Sequence, residues 1–186
     1  MKQLCFFIVV FLLSQAMAIA ASDPSHPQLR AELLKMEAED QRYRQPGETN
    51  NSKADEINIA HLKRLKQIID EVGWPGISMV GEDGALAAWL ITQHADQDRA
   101  FQKQMLELIE PLIATGEVSA ETYVYLYDRV NTPQRYGTQG ECNAEGRWIP
   151  NEIENRGNVD SRRAEIGLLP LADYAELVSG YLCGSK

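Results

Sequence analysis

His94, Asp40 and Asp128 are the residues of this sequence whose types and spacing suit acid–base chemistry. His94 follows Leu90 and Ile91 by about one helical turn, and Asp40 interrupts an otherwise apolar helical stripe. A carboxylate or an imidazole on such a face is costly to bury unless it is paired. Because histidine exchanges protons near neutral pH, we interpret His94 as a candidate general acid or base. Asp40 or Asp128 would then orient the ring.

A polar cluster begins directly after Asp128 and suits ligand binding. In this hypothesis the Arg129 side chain holds an anionic group of the ligand. Tyr136, Thr138 and Gln139 supply hydrogen bonds from a mobile, glycine-rich loop.

A structural interpretation explains the same residues without a ligand. His94 would make a hydrogen bond in the core, and Asp40 would form a salt bridge with Arg44 or Arg129. The polar residues of the loop would cap helix ends. The sequence leaves the structural and the functional interpretation open.

Longer catalytic and metal-binding motifs are missing from the chain. It contains no H-E-x-x-H, C-x-x-C, G-x-G-x-x-G or Walker sequence. The stretch around Ser78 resembles a nucleophile elbow, but Val80 stands where the second glycine is needed. His94 and Asp98 lie one helical turn apart, yet only two other histidines are available to complete a metal site. We therefore expect no metal and no cofactor.

The spacing of apolar residues predicts a mainly α protein, a single compact domain of about five to seven helices. The stretch 77–81 is predicted to be a loop before the third helix. Prolines and glycines between residues 131 and 158 indicate a short Gly-rich loop or β-hairpin insert near Gly146. The predicted helices span about 27–43, 54–71, from near 83 onward, 101–115, 119–130, 160–166 and 171–182. The sequence leaves open whether the 101–115 pattern continues the third helix or begins after a break near residues 96–98.

The first 21 residues have the pattern of a secretory signal peptide. Lys2 precedes a short apolar run, and small residues follow at A-x-A spacing. The run is too short to cross a bilayer as a helix. We expect a signal peptide over 1–21, a flexible lead-in over 22–28 and one helical domain over 29–186. The protein is accordingly expected to be exported, either periplasmic or secreted.

The length of the chain limits the number of domains, and its charge limits the kinds of partner that it can bind. The chain has 186 residues and a formal charge of −9, and removal of the signal would leave 165 residues. The charge would become −10, because Lys2 is the only charged residue removed. This length suits one domain. An acidic chain repels phosphates, so no nucleic-acid partner is expected. No stable membrane insertion after signal removal is expected either, because the apolar run is too short to span a bilayer.

Two cysteines remain after removal of the signal, which contains Cys5. An even number of cysteines in an exported protein favours a disulfide, here between Cys142 and Cys183. The alternative is a pair of separate thiols.

Short strings along the chain resemble those of a bacterial family of unknown function. The two most specific strings are Gln93-His94-Ala95-Asp96 and Tyr136-Gly137-Thr138-Gln139. The resemblance extends from about Leu29 to Tyr174 and implies a single domain. It assigns no activity and no catalytic residue. Further strings are Met36-x-x-x-Asp40-Gln41, Gly73-Trp74-Pro75, Asp128-Arg129-Val130 and Arg162-Arg163.

Two functional hypotheses follow from these residues. The first is an exported domain whose polar pocket binds or hydrolyses a small polar ligand. The alternative is a protein-binding module of the inhibitor or immunity type, whose negative charge would attract a basic partner protein.

Overall fold

Capping residues and backbone breaks in the sequence set the ends of the helices. The computed structural model describes residues 23–43 and 51–183. The predicted signal peptide and Arg44 lie outside the described residues. Among the described residues, the helices are α1 Pro27–Arg42, α2 Asn51–Val72, α3 Ile77–Gln93, α4 Arg99–Ile113, α5 Ala120–Val130, α6 Val159–Glu165 and α7 Leu171–Val178. The predicted mainly α fold class is confirmed.

Side-chain caps begin two of these helices. The Asp98 carboxylate accepts the Phe101 N–H at 3.0 Å at the start of α4, and the Ser119 hydroxyl accepts the Thr122 N–H at 3.1 Å at the start of α5. Helix α2 ends at Gly73, whose φ of +78° favours glycine. The sequence correctly predicts the end of α2, and the structure decides the open question of α4 in favour of a break between α3 and α4.

Helix α3 begins earlier than the sequence predicts. Its first turn occupies the stretch expected to be a loop, and Gly81 then kinks the helix with φ +76° and ψ 167°. A distant residue stabilises this turn, since Glu117 accepts the Ile77 N–H through its backbone oxygen and the Ser78 N–H through Oε2. Ser78 in turn accepts the backbone N–H of Ser25, in the lead-in before α1.

The main hydrophobic core lies between α1, α2, α3, α4 and α5. Helix α1 packs mainly against α3, and α4 packs against α5. This packing places the end of α1 beside the end of α3, where two of the predicted site residues lie. Residues at the centre of the core include Leu33, Leu65, Ile68, Ala87, Ile109 and Leu126.

The region after α5 contains the predicted hairpin. Strands β1 Gly140–Cys142 and β2 Trp148–Pro150 pair antiparallel, with Cys142 opposite Trp148. A π-helical turn, Ser179–Cys183, continues α7, and the predicted disulfide joins Cys142 to Cys183. No helix within the described ranges is long and apolar enough to cross a membrane.

Candidate functional site

The ends of α1 and α3 bring Asp40 and His94 into contact. His94 Nδ1 lies 2.8 Å from Asp40 Oδ2, and Gln41 Nε2 donates to the same oxygen at 2.9 Å. The Asp40 side chain is only 3% exposed, whereas that of His94 is 17% exposed. Because an ionised carboxylate can only accept, the proton of this bond belongs to Nδ1. The neutral ring then carries its lone pair on Nε2, which makes no hydrogen bond to any described residue.

A second histidine–carboxylate pair lies next to the first. Glu39, the neighbour of Asp40 on α1, accepts a hydrogen bond from His61 of α2, with 3.1 Å between Nε2 and Oε2. The exposures are reversed here, since the His61 side chain is 10% exposed and that of Glu39 is 47% exposed. His61 Nδ1 is buried and has no partner among the described residues. Of the two pairs, only the pair of His94 and Asp40 combines a buried carboxylate with a partly exposed ring.

Arg129 joins the turn before α4 to the loop after α5. Its Nε donates to Asp96 Oδ1 at 3.0 Å, and its Nη2 donates to the other carboxylate oxygen. Its Nη1 donates to Gln139 Oε1 at 3.1 Å. Burial raises the pKa of Asp96, but the hydrogen bonds and charge of Arg129 outweigh burial and hold it below its ordinary value. The guanidinium is therefore already paired within the protein.

Asp128 organises the loop that follows α5. Its buried carboxylate accepts the backbone N–H groups of Arg135, Tyr136 and Thr138 at 2.8, 3.1 and 2.9 Å, and the Thr138 hydroxyl at 3.0 Å. These four bonds occupy both oxygens. Asp128 thus fixes the loop, and it makes no hydrogen bond to His94.

The loop itself is tightly held around Gly137. This glycine has φ +71°, and a Cβ added there would lie 2.6 Å from Cδ1 of Ile153. Gln134 makes two bonds with the backbone of Gln139, accepting its N–H at 2.7 Å and donating to its carbonyl at 2.8 Å. The Tyr136 carbonyl accepts Arg163 Nη1 at 2.7 Å. Backbone geometry thereby positions the side chains that the sequence proposes as ligand-binding groups.

Arg163 supports this loop from a buried position. It is only 1% exposed, and its Nε also donates to the Leu169 carbonyl at 2.5 Å. Its guanidinium carbon lies 4.7 Å from the centre of the Tyr174 ring. Burial lowers the pKa of Arg163 and raises that of Tyr174.

The structure thus divides the predicted site residues into three groups. One group is His94 with Asp40, the second is Arg129 with Gln139, and the third is Asp128 with the backbone of Tyr136 and Thr138. Gln139 Nε2 donates to Thr138 Oγ1 at 3.2 Å, which joins the second group to the third. No hydrogen bond between described residues joins the first group to either of the other two.

Sequence reasoning missed Asp96 as the partner of Arg129, although Asp96 lies in one of the two specific strings. It also missed Gln102, which is fully buried and donates to the carbonyls of Thr92 and Gln93 at the end of α3. A glutamine on the apolar face of α4 was the available signal. Within the described ranges, no three His, Cys, Asp or Glu side chains are arranged to hold a metal ion.

Comparison with known proteins identifies a family but no function. No curated protein and no solved structure matches the chain. The model of a family of unknown function, DUF6624, matches residues 27–183. Because this match covers most of the sequence, the chain belongs to the family of unknown function DUF6624.

Proposed function

We propose that this protein hydrolyses a small polar ligand, with His94 as the general base and Asp40 as its positioning residue. The observation that carries this proposal is the 2.8 Å contact between Nδ1 and the buried carboxylate, which leaves Nε2 on a partly exposed ring. A carboxylate in this position selects the tautomer whose Nε2 accepts a proton.

The proposed step uses water as the nucleophile. His94 Nε2 takes one proton from a water molecule while the oxygen of that water attacks the electrophilic carbonyl of the ligand. The imidazolium that forms is stabilised by the charge of Asp40. Its proton then passes to the leaving group, which restores the neutral ring.

Arg129, Tyr136, Thr138 and Gln139 are proposed as ligand-binding residues with less support than His94. Thr138 is buried, and Arg129 and Gln139 bind each other. The hydrogen bonds that these side chains make within the protein do not require a ligand.

The matched pair of histidines provides the test of hydrolysis. We would measure kcat/KM on a panel of nitrophenyl esters for the wild type and the variants His94→Gln, Asp40→Asn and His61→Gln. A general base contributes about 10²–10⁴-fold, so His94→Gln should lower the rate by about a hundredfold or more. His61→Gln should keep the wild-type rate. Equal rates for all proteins, or no turnover by the wild type, would contradict hydrolysis of this substrate class by His94.

The tautomer of the His94 ring tests whether Asp40 positions it. Nitrogen-15 NMR should show the His94 ring protonated at Nδ1 in the wild type. In Asp40→Asn the amide can donate to Nδ1, so the proton should move to Nε2. An unchanged tautomer in the variant would show that Asp40 does not position the ring.

Export is also proposed. The disulfide between Cys142 and Cys183 supports it, because disulfides persist in oxidising compartments. Expression of the full chain in a bacterium, followed by mass spectrometry of the periplasm and the medium, should yield a protein lacking about the first 21 residues. Recovery of the intact chain in the cytoplasm alone would contradict export.

Binding of a basic partner protein has weaker support. Several acidic side chains are already paired with basic ones, as in the contacts of Asp83 with Arg30 and of Glu32 with Arg64. Such pairs reduce the negative field that would attract a basic surface.

A further inference from the structure

A cleft of about 560 Å³ lies between α3 and α5, away from His94. Three aromatic side chains, Trp74, Trp89 and Tyr125, contribute to its wall. The Trp89 and Tyr125 rings meet edge to face, with centroids 6.3 Å apart and an angle of 89° between the planes. Two ring systems at a right angle form an aromatic corner in the cleft.

The charged residues that line this cleft are all acidic. They are Glu82 on α3, Glu117 before α5 and Glu121 on α5. Glu117 is engaged in the structure, since its Oε2 accepts the Ser78 N–H at 2.9 Å. Glu82 and Glu121 form no ion pair with any described residue. Two carboxylates therefore remain for a ligand.

We propose that this cleft binds a small organic cation, a methylated ammonium. Aromatic faces attract such cations through their quadrupoles, and the methyl groups fit apolar walls. The two free carboxylates supply the opposite charge. An anion would be repelled by Glu82 and Glu121, and a purely apolar ligand would desolvate these carboxylates without compensation.

This proposal is independent of the hydrolysis proposed for His94. The choline ion is the probe, and dimethylbutanol, its neutral carbon isostere, is the control ligand. Titration followed by tryptophan fluorescence and by calorimetry should show choline binding at least tenfold more tightly than the isostere. Equal affinity would show an apolar cavity without cation recognition, and failure of both ligands to bind would overturn the proposal.

Substitutions inside and outside the cleft test whether choline binds there. The double variant Glu82→Gln and Glu121→Gln should weaken choline binding about tenfold and leave binding of the isostere unchanged. Glu107→Gln, which removes an exposed carboxylate of α4 outside the cleft, should bind choline like the wild type. His94→Gln should also retain binding. If the double variant retains full affinity at an unchanged melting temperature, the carboxylates do not recognise the cation and the proposal fails.

Discussion

At the residue scale, Asp128 is predicted to stabilise the fold. Its carboxylate accepts three backbone N–H groups and one hydroxyl in a buried position. In Asp128→Asn one oxygen becomes an amide donor, so buried N–H groups lose their acceptor. We expect a loss of about 3 kcal/mol in the free energy of unfolding, measured by urea denaturation.

Thr138→Val is the matched control for Asp128. It removes the hydroxyl bond to Asp128 and the bond that the hydroxyl accepts from Gln139 Nε2, but it keeps the three backbone bonds to Asp128, so the loss should be about 1 kcal/mol. If Asp128→Asn is as stable as the wild type, the carboxylate is free to serve a ligand and its structural assignment is wrong.

The sequence predicts individual polar residues better than their partners. Asp40 and His94 are recognisable because each interrupts an apolar helical face, and the structure brings them together across 54 positions. Arg129 is recognisable too, but its partner Asp96 lies 33 positions away in an exposed turn. Such a pairing depends on the angle at which α3, α4 and α5 pack, and no local pattern encodes that angle.

At the element scale, the kink in α3 depends on Gly81. Its φ of +76° is unfavourable for any residue with a Cβ, and an added Cβ would lie 3.1 Å from Asp83 Oδ1. Gly81→Ala should therefore cost about 1–3 kcal/mol of unfolding free energy, measured by thermal and urea denaturation. Gly157→Ala is the control, since an added Cβ there meets nothing within 4 Å. Equal stability of both variants would show that the kink is not required.

The start of α3 also shows where local patterns fail. The start of α5 is predicted closely because its first turn carries its own capping residue, Ser119. The start of α4 also has a local cap, Asp98, which sequence reasoning missed. The first turn of α3 has no side-chain cap of its own and is stabilised by Glu117, which is 39 residues from Ser78. Tertiary contacts override the local preference for a loop after Pro75.

At the scale of the whole molecule, ion pairs are expected to make the fold sensitive to acid. Four carboxylates among the described residues have a pKa below the ordinary value because each is bonded to a basic side chain. Arg64 lowers the pKa of Glu32 below 4.5. Arg30, Lys66 and Arg129 lower the pKa values of Asp83, Asp98 and Asp96, in that order, below 3.8. A carboxylate whose pKa is lower in the folded than in the unfolded protein stabilises the fold at pH values above its unfolded-state pKa. This stability is lost as the pH falls through the folded-state pKa. The free energy of unfolding should therefore fall below about pH 4, by a modest amount because solvent screens these partly exposed pairs.

Urea denaturation between pH 3 and 6 would test this, with Asp98→Asn as the informative variant. Asparagine keeps a cap at the start of α4 but loses the charge facing Lys66, so the slope below pH 4 should be shallower. Glu37 acts in the opposite sense, because burial first and then the charges of Asp83 and Asp40 raise its pKa. A flat profile between pH 3 and 6 would contradict the predicted role of the ion pairs.

The disulfide joins the two distant parts of the C-terminal region. Cys142 lies on β1 and Cys183 ends the π-helical turn after α7, 41 positions later. Crosslinking a loop of this length lowers the entropy of the unfolded chain by an amount equivalent to about 4 kcal/mol. The double variant Cys142→Ser and Cys183→Ser should therefore melt roughly 10 °C lower than the oxidised protein. Reduction of the wild type should reproduce this loss, since it removes the same constraint without changing the sequence. If neither treatment lowers the melting temperature, strain in the folded state must offset the gain from crosslinking, and the chain-entropy account fails for this protein.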